Sequence, residues 1–164
     1  LVLLSGCTTF QDFMDTVRGP RTAAAAAKQF EKQSNSAMYI AKALENHQNI
    51  KYVHYTGLDS HPQKSLITEQ MKGHSSLISI EIKVGSKKEV SDFINRLSLF
   101  IIGVSWGSYQ SMVIPPHVPY SKILKEEVYS KTGISKSLIR FSIGLETKED
   151  LWEDIKNSLD KIKN

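Results

Sequence analysis

A single cysteine, Cys7, occurs in 164 residues, so no internal disulfide can form and the chain fits a reducing compartment. No apolar stretch approaches the roughly 18 residues that a membrane span requires. C-x-x-C pairs, glycine-rich phosphate loops and aromatic-plus-basic RNA motifs are all absent. The formal charge of +4 is spread thinly, with lysines scattered from Lys28 to Lys163 and no dense block. That is the pattern of a solvated surface, not of a nucleic-acid interface. The histidines, His47, His54, His61, His74 and His117, lack metal-ligand spacing such as H-x-x-x-H. A G-x-S-x-G elbow is also missing, which leaves a Ser-His-Asp hydrolase with little support. What remains is a globular chain, 40% hydrophobic and 23% charged, most simply one domain.

At the start, Leu4-Ser5-Gly6-Cys7 matches the pattern at which bacterial lipoproteins are cut and lipidated. Such a signal needs a basic segment and then an apolar run of about 7–15 residues. Here the apolar run is only Leu1 to Leu4, and no basic residue precedes it. An envelope lipoprotein, acting as a non-catalytic interaction module, is therefore the alternative and not the expectation.

Residues 22–46 read as one long helix. Thr22 follows the breaker pair Gly19-Pro20 as its N-cap, five alanines follow, and Ala26, Phe30, Ala37, Ile40, Ala41 and Leu44 make an apolar stripe. Residues 51–55 predict a short strand, and 62–72 a helix with Pro62 in its first turn. In 77–83 the isoleucines 78, 80 and 82 alternate with Ser79, Glu81 and Lys83, which predicts a half-buried strand. Ser86 and Glu89 form a capping box ahead of Val90, Phe93, Ile94 and Leu97. Residues 99–105 are apolar enough for a central strand. Residues 110–133 read as mostly irregular, with a helix around 121–131. A last alternating strand covers 138–145. A C-terminal helix capped by Thr147 then buries Leu151, Trp152, Ile155, Leu159 and Ile162, with Lys161 and Lys163 at its negative end. A long helix followed by strands alternating with amphipathic helices gives an α/β fold, a two-layer α+β sandwich.

Two places carry candidate chemistry. On the last strand Ile139, Phe141, Ile143 and Leu145 point one way, and Arg140, Ser142 and Gly144 the other. Arg140 is either an edge-strand or ion-paired arginine, or an anion clamp whose planar fork fits a carboxylate. The second place is residues 103–111, where a strand runs into small residues around Ser105 and Trp106. That stretch is either a glycine-rich turn with Trp106 plugging the core, or a ligand-binding loop.

Five segments taken together have a familiar look: VRGPRT (17–22), YVHYTGLDSHPQ (52–63), MKGHSSLISIEI (71–82), LFIIGVSWGSYQSM (99–112) and SLIRFSIGLETKEDLWEDI (137–155). In order and spacing, apart from a small slip near the alanine run, they resemble the C-terminal part of the pyridoxal-phosphate enzymes of cysteine and methionine metabolism. The Ser105-Trp106-Gly107 form is nearest in flavour to cystathionine β-lyase. Gln110, His74-Ser75-Ser76 and Pro119-Tyr120 depart from the commoner family residues.

The resemblance implies the C-terminal small domain of a type I pyridoxal-phosphate fold. Residues 1–22 would be a remnant of the large domain, 23–46 the linking helix and 47–164 the small domain. Gly6 and Arg18 to Thr22 would be interior family sequence, which makes the lipoprotein match accidental. Arg140 falls on the family arginine that grips the substrate α-carboxylate, with Ser105 and Trp106 beside it. The family's cofactor lysine, in a Ser-x-Thr-Lys context, has no counterpart here. The expected function is that of a trans-sulfuration C–S lyase or synthase acting on a sulfur-containing amino acid, with pyridoxal 5'-phosphate in the complete enzyme. The resemblance further implies a cytoplasmic homotetramer or homodimer, an inactive chain when isolated, and no nucleic-acid, membrane or metal partner.

Overall fold

The computed structural model describes residues 23–84, 86–115 and 131–162. The expectations for Gly6, Cys7, the 17–22 motif, the Thr22 cap, the 121–131 helix and Pro119-Tyr120 lie outside these residues. Helix α1 (Ala23–Glu45) leads into strand β1 (Ile50–His54), helix α2 (Lys64–Gln70), β2 (Leu77–Ile82) and α3 (Lys87–Asn95). Then come β3 (Ile101–Ile102), β4 (Met112–Ile114), β5 (Leu138–Ser142) and α4 (Lys148–Leu159).

The strands form one mixed sheet in the order β1-β2-β5-β4-β3. All neighbours pair antiparallel except β3 and β4, which are parallel. Registers Ile80↔Ile139, Ile78↔Phe141 and Val113↔Phe141 line the apolar side chains up on one face. That face meets Ala37, Ile40, Ala41 and Leu44 of α1, Val90, Phe93 and Ile94 of α3, and Leu151, Ile155 and Leu159 of α4. Helices α1, α3 and α4 therefore lie on one side of the sheet, giving two layers. Phe141 is central to this packing, edge-on to Phe93 (6.5 Å) and Phe100 (5.1 Å), a favoured arrangement for aromatic rings.

Local sequence explains the helix ends. Ser86 caps α3, its hydroxyl oxygen accepting the Glu89 N–H (3.3 Å) and its hydroxyl donating to the Glu89 carboxylate (2.7 Å). Thr147 occupies the N-cap of α4 without a side-chain cap bond. The Asp154 carboxylate of α4 accepts the backbone N–H groups of Ser98 (2.9 and 3.0 Å) and Leu99 (2.9 Å), fixing the turn that leaves α3.

Four expectations need correction. The apolar stripe of α1 is buried only in its second half: Ala26 is exposed and Phe30 half exposed, while Gln33 and Ser36 are buried. Among the described residues, the core beneath α1 is met by its second half, from Ala37 to Leu44. Residues 99–105 do not form a central strand. The strand is two residues long, lies at the sheet edge, and leaves Ile101, Ile102 and Val104 exposed. Within the mostly irregular 110–133 stretch the reading missed a strand, because residues 112–114 pair with both neighbours as β4, and 116–130 lie outside the described residues. Helix α4 ends at Leu159, so Ile162 and Lys161 lie beyond it, and Lys156 is the cation of its last turn. The last strand stops at Ser142, three residues short of the expected 145, and boundaries elsewhere differ by a residue or two; α2 begins at Lys64, after Pro62.

Candidate functional site

Arg140 lies on β5, the middle strand, with Ser79 of β2 and Ile114 of β4 as cross-strand partners. The pleat sends Ile139 and Phe141 into the helix layer and Arg140 to the opposite face. There it is half-buried, and no described residue hydrogen-bonds or ion-pairs with it. The edge-strand reading of Arg140 therefore fails, and the ion-pair reading finds no partner among the described residues. Two residues along the same face, the Ser142 hydroxyl is buried without a partner among the described residues.

The carboxylate on this face, Glu81, is committed elsewhere. It meets the Lys51 ammonium (3.2 Å) and the His54 ring (3.1 Å). Burial pushes its pKa up, but hydrogen bonds from His54, Lys51 and Ser135 outweigh burial and hold it below the usual glutamate range. Among the described residues nothing occupies the Arg140 donors, and its partly desolvated setting suits a small carboxylate.

The second candidate is the loop between β3 and β4. Gly103 N–H donates to Val113 O (3.1 Å), so the loop departs from the far side of β4 relative to Arg140. Ser105 is half-buried and Trp106 is 78% exposed, so Trp106 does not plug the core. Gly107 takes a left-handed conformation (φ 81°), which suits a residue without a Cβ. Helix α1 holds this turn from beneath: the Gln29 side chain donates to Gly107 O (2.7 Å) and that of Gln33 to Ser108 O (2.6 Å). At the far end, Leu145 N–H donates to Tyr109 O (2.7 Å), and Ser111 is bonded to Glu146.

Arg140 and the Ser105–Trp106 loop thus flank β4, with no hydrogen bond between them. Gln29, Gln33, Ser111 and Glu146, which set the loop, were not anticipated from the sequence. Gln33 did carry a signal: it sits four residues before Ala37, in line with the buried stripe, where a polar side chain needs a partner.

Among the described residues, no three histidine, cysteine, aspartate or glutamate side chains come together as metal ligands. No helix there is long and apolar enough to cross a membrane. Every described lysine is exposed or half-buried. That donor set does not fit covalent attachment of an aldehyde cofactor, which calls for a lysine poised in a dry site.

Residues 7–160 match the family model described as Cys/Met metabolism PLP-dependent enzyme. A cystathionine β-lyase of Lactococcus lactis is 35% identical over 151 residues, covering 92% of this chain and 38% of that protein. A cystathionine γ-lyase of Sus scrofa is 38% identical over 130 residues, covering 79% of this chain and 32% of that one. Among solved structures, a cystathionine γ-synthase of Xanthomonas oryzae in complex with cystathionine superposes with a TM-score of 0.74 at 30% identity. That match covers 82% of this chain and 34% of the other. A putative O-acetylhomoserine (thiol)-lyase of Campylobacter jejuni, solved with a pyridoxyl-lysine monophosphate, gives 0.73 at 32% identity, over 82% and 32% of the two chains. The chain therefore spans about a third of the length of these relatives. Sequence, fold and family model agree, and the chain belongs to the pyridoxal-phosphate-dependent enzymes of cysteine and methionine metabolism.

Proposed function

We propose that this chain is the C-terminal, substrate-carboxylate part of a trans-sulfuration enzyme, a C–S lyase of the cystathionine β-lyase kind. The observation that carries the reading is Arg140: mid-sheet, half-buried and, among the described residues, without an ion-pair partner. Its guanidinium grips the α-carboxylate of a sulfur-containing amino acid, and Ser105 and Trp106 bound the same site from the loop beyond β4. The described lysines do not fit covalent attachment of the cofactor, so no step is routed through it. Pyridoxal phosphate supplies the electron sink for C–S cleavage in the complete enzyme. In this reading residues 1–22 finish the large domain, 23–46 link the two domains, and 47–164 form the small domain of a cytoplasmic homodimer or homotetramer.

Steady-state kinetics on the holoenzyme that contains this chain test the reading. Arg140→Ala should lower kcat/KM for cystathionine by roughly thirtyfold or more, the equivalent of about 2 kcal/mol for a desolvated charge pair. Arg140→Lys keeps the charge but loses the fork, so it should recover little. An Arg140→Ala enzyme with unchanged KM and kcat would remove the carboxylate reading.

A further inference from the structure

Arg140 and the Ser105–Trp106 loop belong to different stretches of chain, and one carboxylate joins them. Glu146 comes four residues after β5, beyond the turn at Gly144. One of its oxygens accepts the backbone N–H of Ser111 and the other accepts the Ser111 hydroxyl, both at 2.8 Å. The same hydroxyl oxygen accepts the Gly144 N–H (2.8 Å). Ser111 is fully buried and closes the loop just before β4, and its carbonyl accepts Ile101 N–H from β3 (3.0 Å).

Hydrogen bonds therefore run from β3 through Ser111 to Gly144, just past the strand that carries Arg140, and Glu146 clamps Ser111 at the centre of that path. Two parallel bonds to an ionised acceptor fix orientation as well as distance, and they are stronger than neutral ones. Helix α1 completes the frame. Lys32 donates to Leu145 O (2.7 Å) beside Glu146, one helical turn from Gln29 and adjacent to Gln33, which hold the other side of the loop.

We propose that Glu146 is a positioning residue: through Ser111 it sets the Ser105–Trp106 loop in register with Arg140. The inference rests on the reading of those three residues as a carboxylate site. Glu146 touches neither substrate nor cofactor in this scheme. It determines where the loop stands when the substrate carboxylate arrives.

The test compares Glu146→Ala and Glu146→Gln with Arg140→Ala in the holoenzyme. Hydrogen exchange followed by mass spectrometry should show residues 103–111 exchanging about tenfold faster in Glu146→Ala, with 77–82 and 138–142 still protected. KM for cystathionine should rise by about tenfold while kcat changes less than about threefold, the split expected for misplaced binding groups. Glu146→Gln should recover part of both, since its amide oxygen can still accept the Ser111 N–H. It also carries the comparison if Glu146→Ala does not fold. Unchanged loop exchange overturns the inference. So does faster exchange with unchanged KM, in an enzyme where Arg140→Ala raises KM; Glu146 is then structural only. An unchanged KM in Arg140→Ala itself removes the carboxylate reading, and this inference with it.

Discussion

The His47 ring nitrogen Nε2 lies 3.0 Å from the Asp160 carboxylate, tying the residues just after α1 to the C-cap of α4. Lys156 reaches the other carboxylate oxygen at 2.9 Å. These hydrogen bonds, that from Lys156 first and that from His47 second, hold the Asp160 pKa below its usual 3.8. A carboxyl whose pKa is depressed by folding stabilises the fold above its unfolded pKa, and the contribution is lost as pH falls through the folded value.

Asp160→Asn should therefore lower the melting temperature near neutral pH. The gap to the parent should close below pH 3.8, as Asp160 in the parent takes up its proton. Thermal melts across the acid range check this. A gap that stays constant with pH would show that the carboxylate charge is irrelevant.

Gly144→Ala should destabilise the fold although the site is not in the apolar core. An added Cβ would collide with Tyr109 O and the Glu146 carboxylate and lie 2.6 Å from Ser111 N. Two of these neighbours are backbone and cannot swing aside. A loss of about 1–3 kcal/mol is expected, typical of overpacking, measured by urea denaturation. Loop amides at 103–111 should lose protection in the same variant.

Phe141 and Arg140 are adjacent on β5 but face opposite sides, so their substitutions should separate cleanly. Phe141→Ala removes a fully buried ring that contacts Phe93 and Phe100, and should cost about 3–5 kcal/mol in denaturation experiments. Arg140→Ala should change stability by less than about 1 kcal/mol, because no described partner is lost. If Arg140→Ala unfolds the domain as Phe141→Ala does, Arg140 is a structural residue.

The 164-residue chain mixed with pyridoxal phosphate should give no stoichiometric visible absorbance band that responds to cystathionine. Its described lysines are solvated amines, several already paired, such as Lys51 with Glu81 and Lys64 with Asp59. Weak adducts insensitive to the amino acid are the expected background. A substrate-sensitive band at one equivalent would contradict the reading that the cofactor side lies elsewhere.

The helices and the two long strands were legible because their periodicity is local. Ile78, Ile80 and Ile82 alternate, Val90, Phe93 and Ile94 recur at helical spacing, and all six are buried. The position of a strand within the sheet is not local. Residues 99–105 have the composition of a buried strand, yet they supply a two-residue edge, because β-propensity favours pairing without deciding where the pair sits. The three-residue β4 carries too short a pattern to announce itself. At the candidate site, Arg140 stood out as the one long polar side chain on a small-residue face. That it stands mid-sheet depends on partners far away in sequence, Ser79 and Ile114. The Glu146–Ser111 bond joins residues 35 positions apart, and neither residue type is unusual in its own segment.

The middle strand of this sheet is also the last to be made. With the order β1-β2-β5-β4-β3, the pair β1–β2 and the pair β3–β4 share no edge until residues 138–142 arrive between them. During synthesis the two halves therefore wait apart, each with an unsatisfied strand flank. Joining them requires closing long stretches of chain, a topology that slows folding and lengthens exposure to aggregation. A ribosome stalled before β5 would leave two hairpin-sized pieces instead of a smaller version of the same sheet.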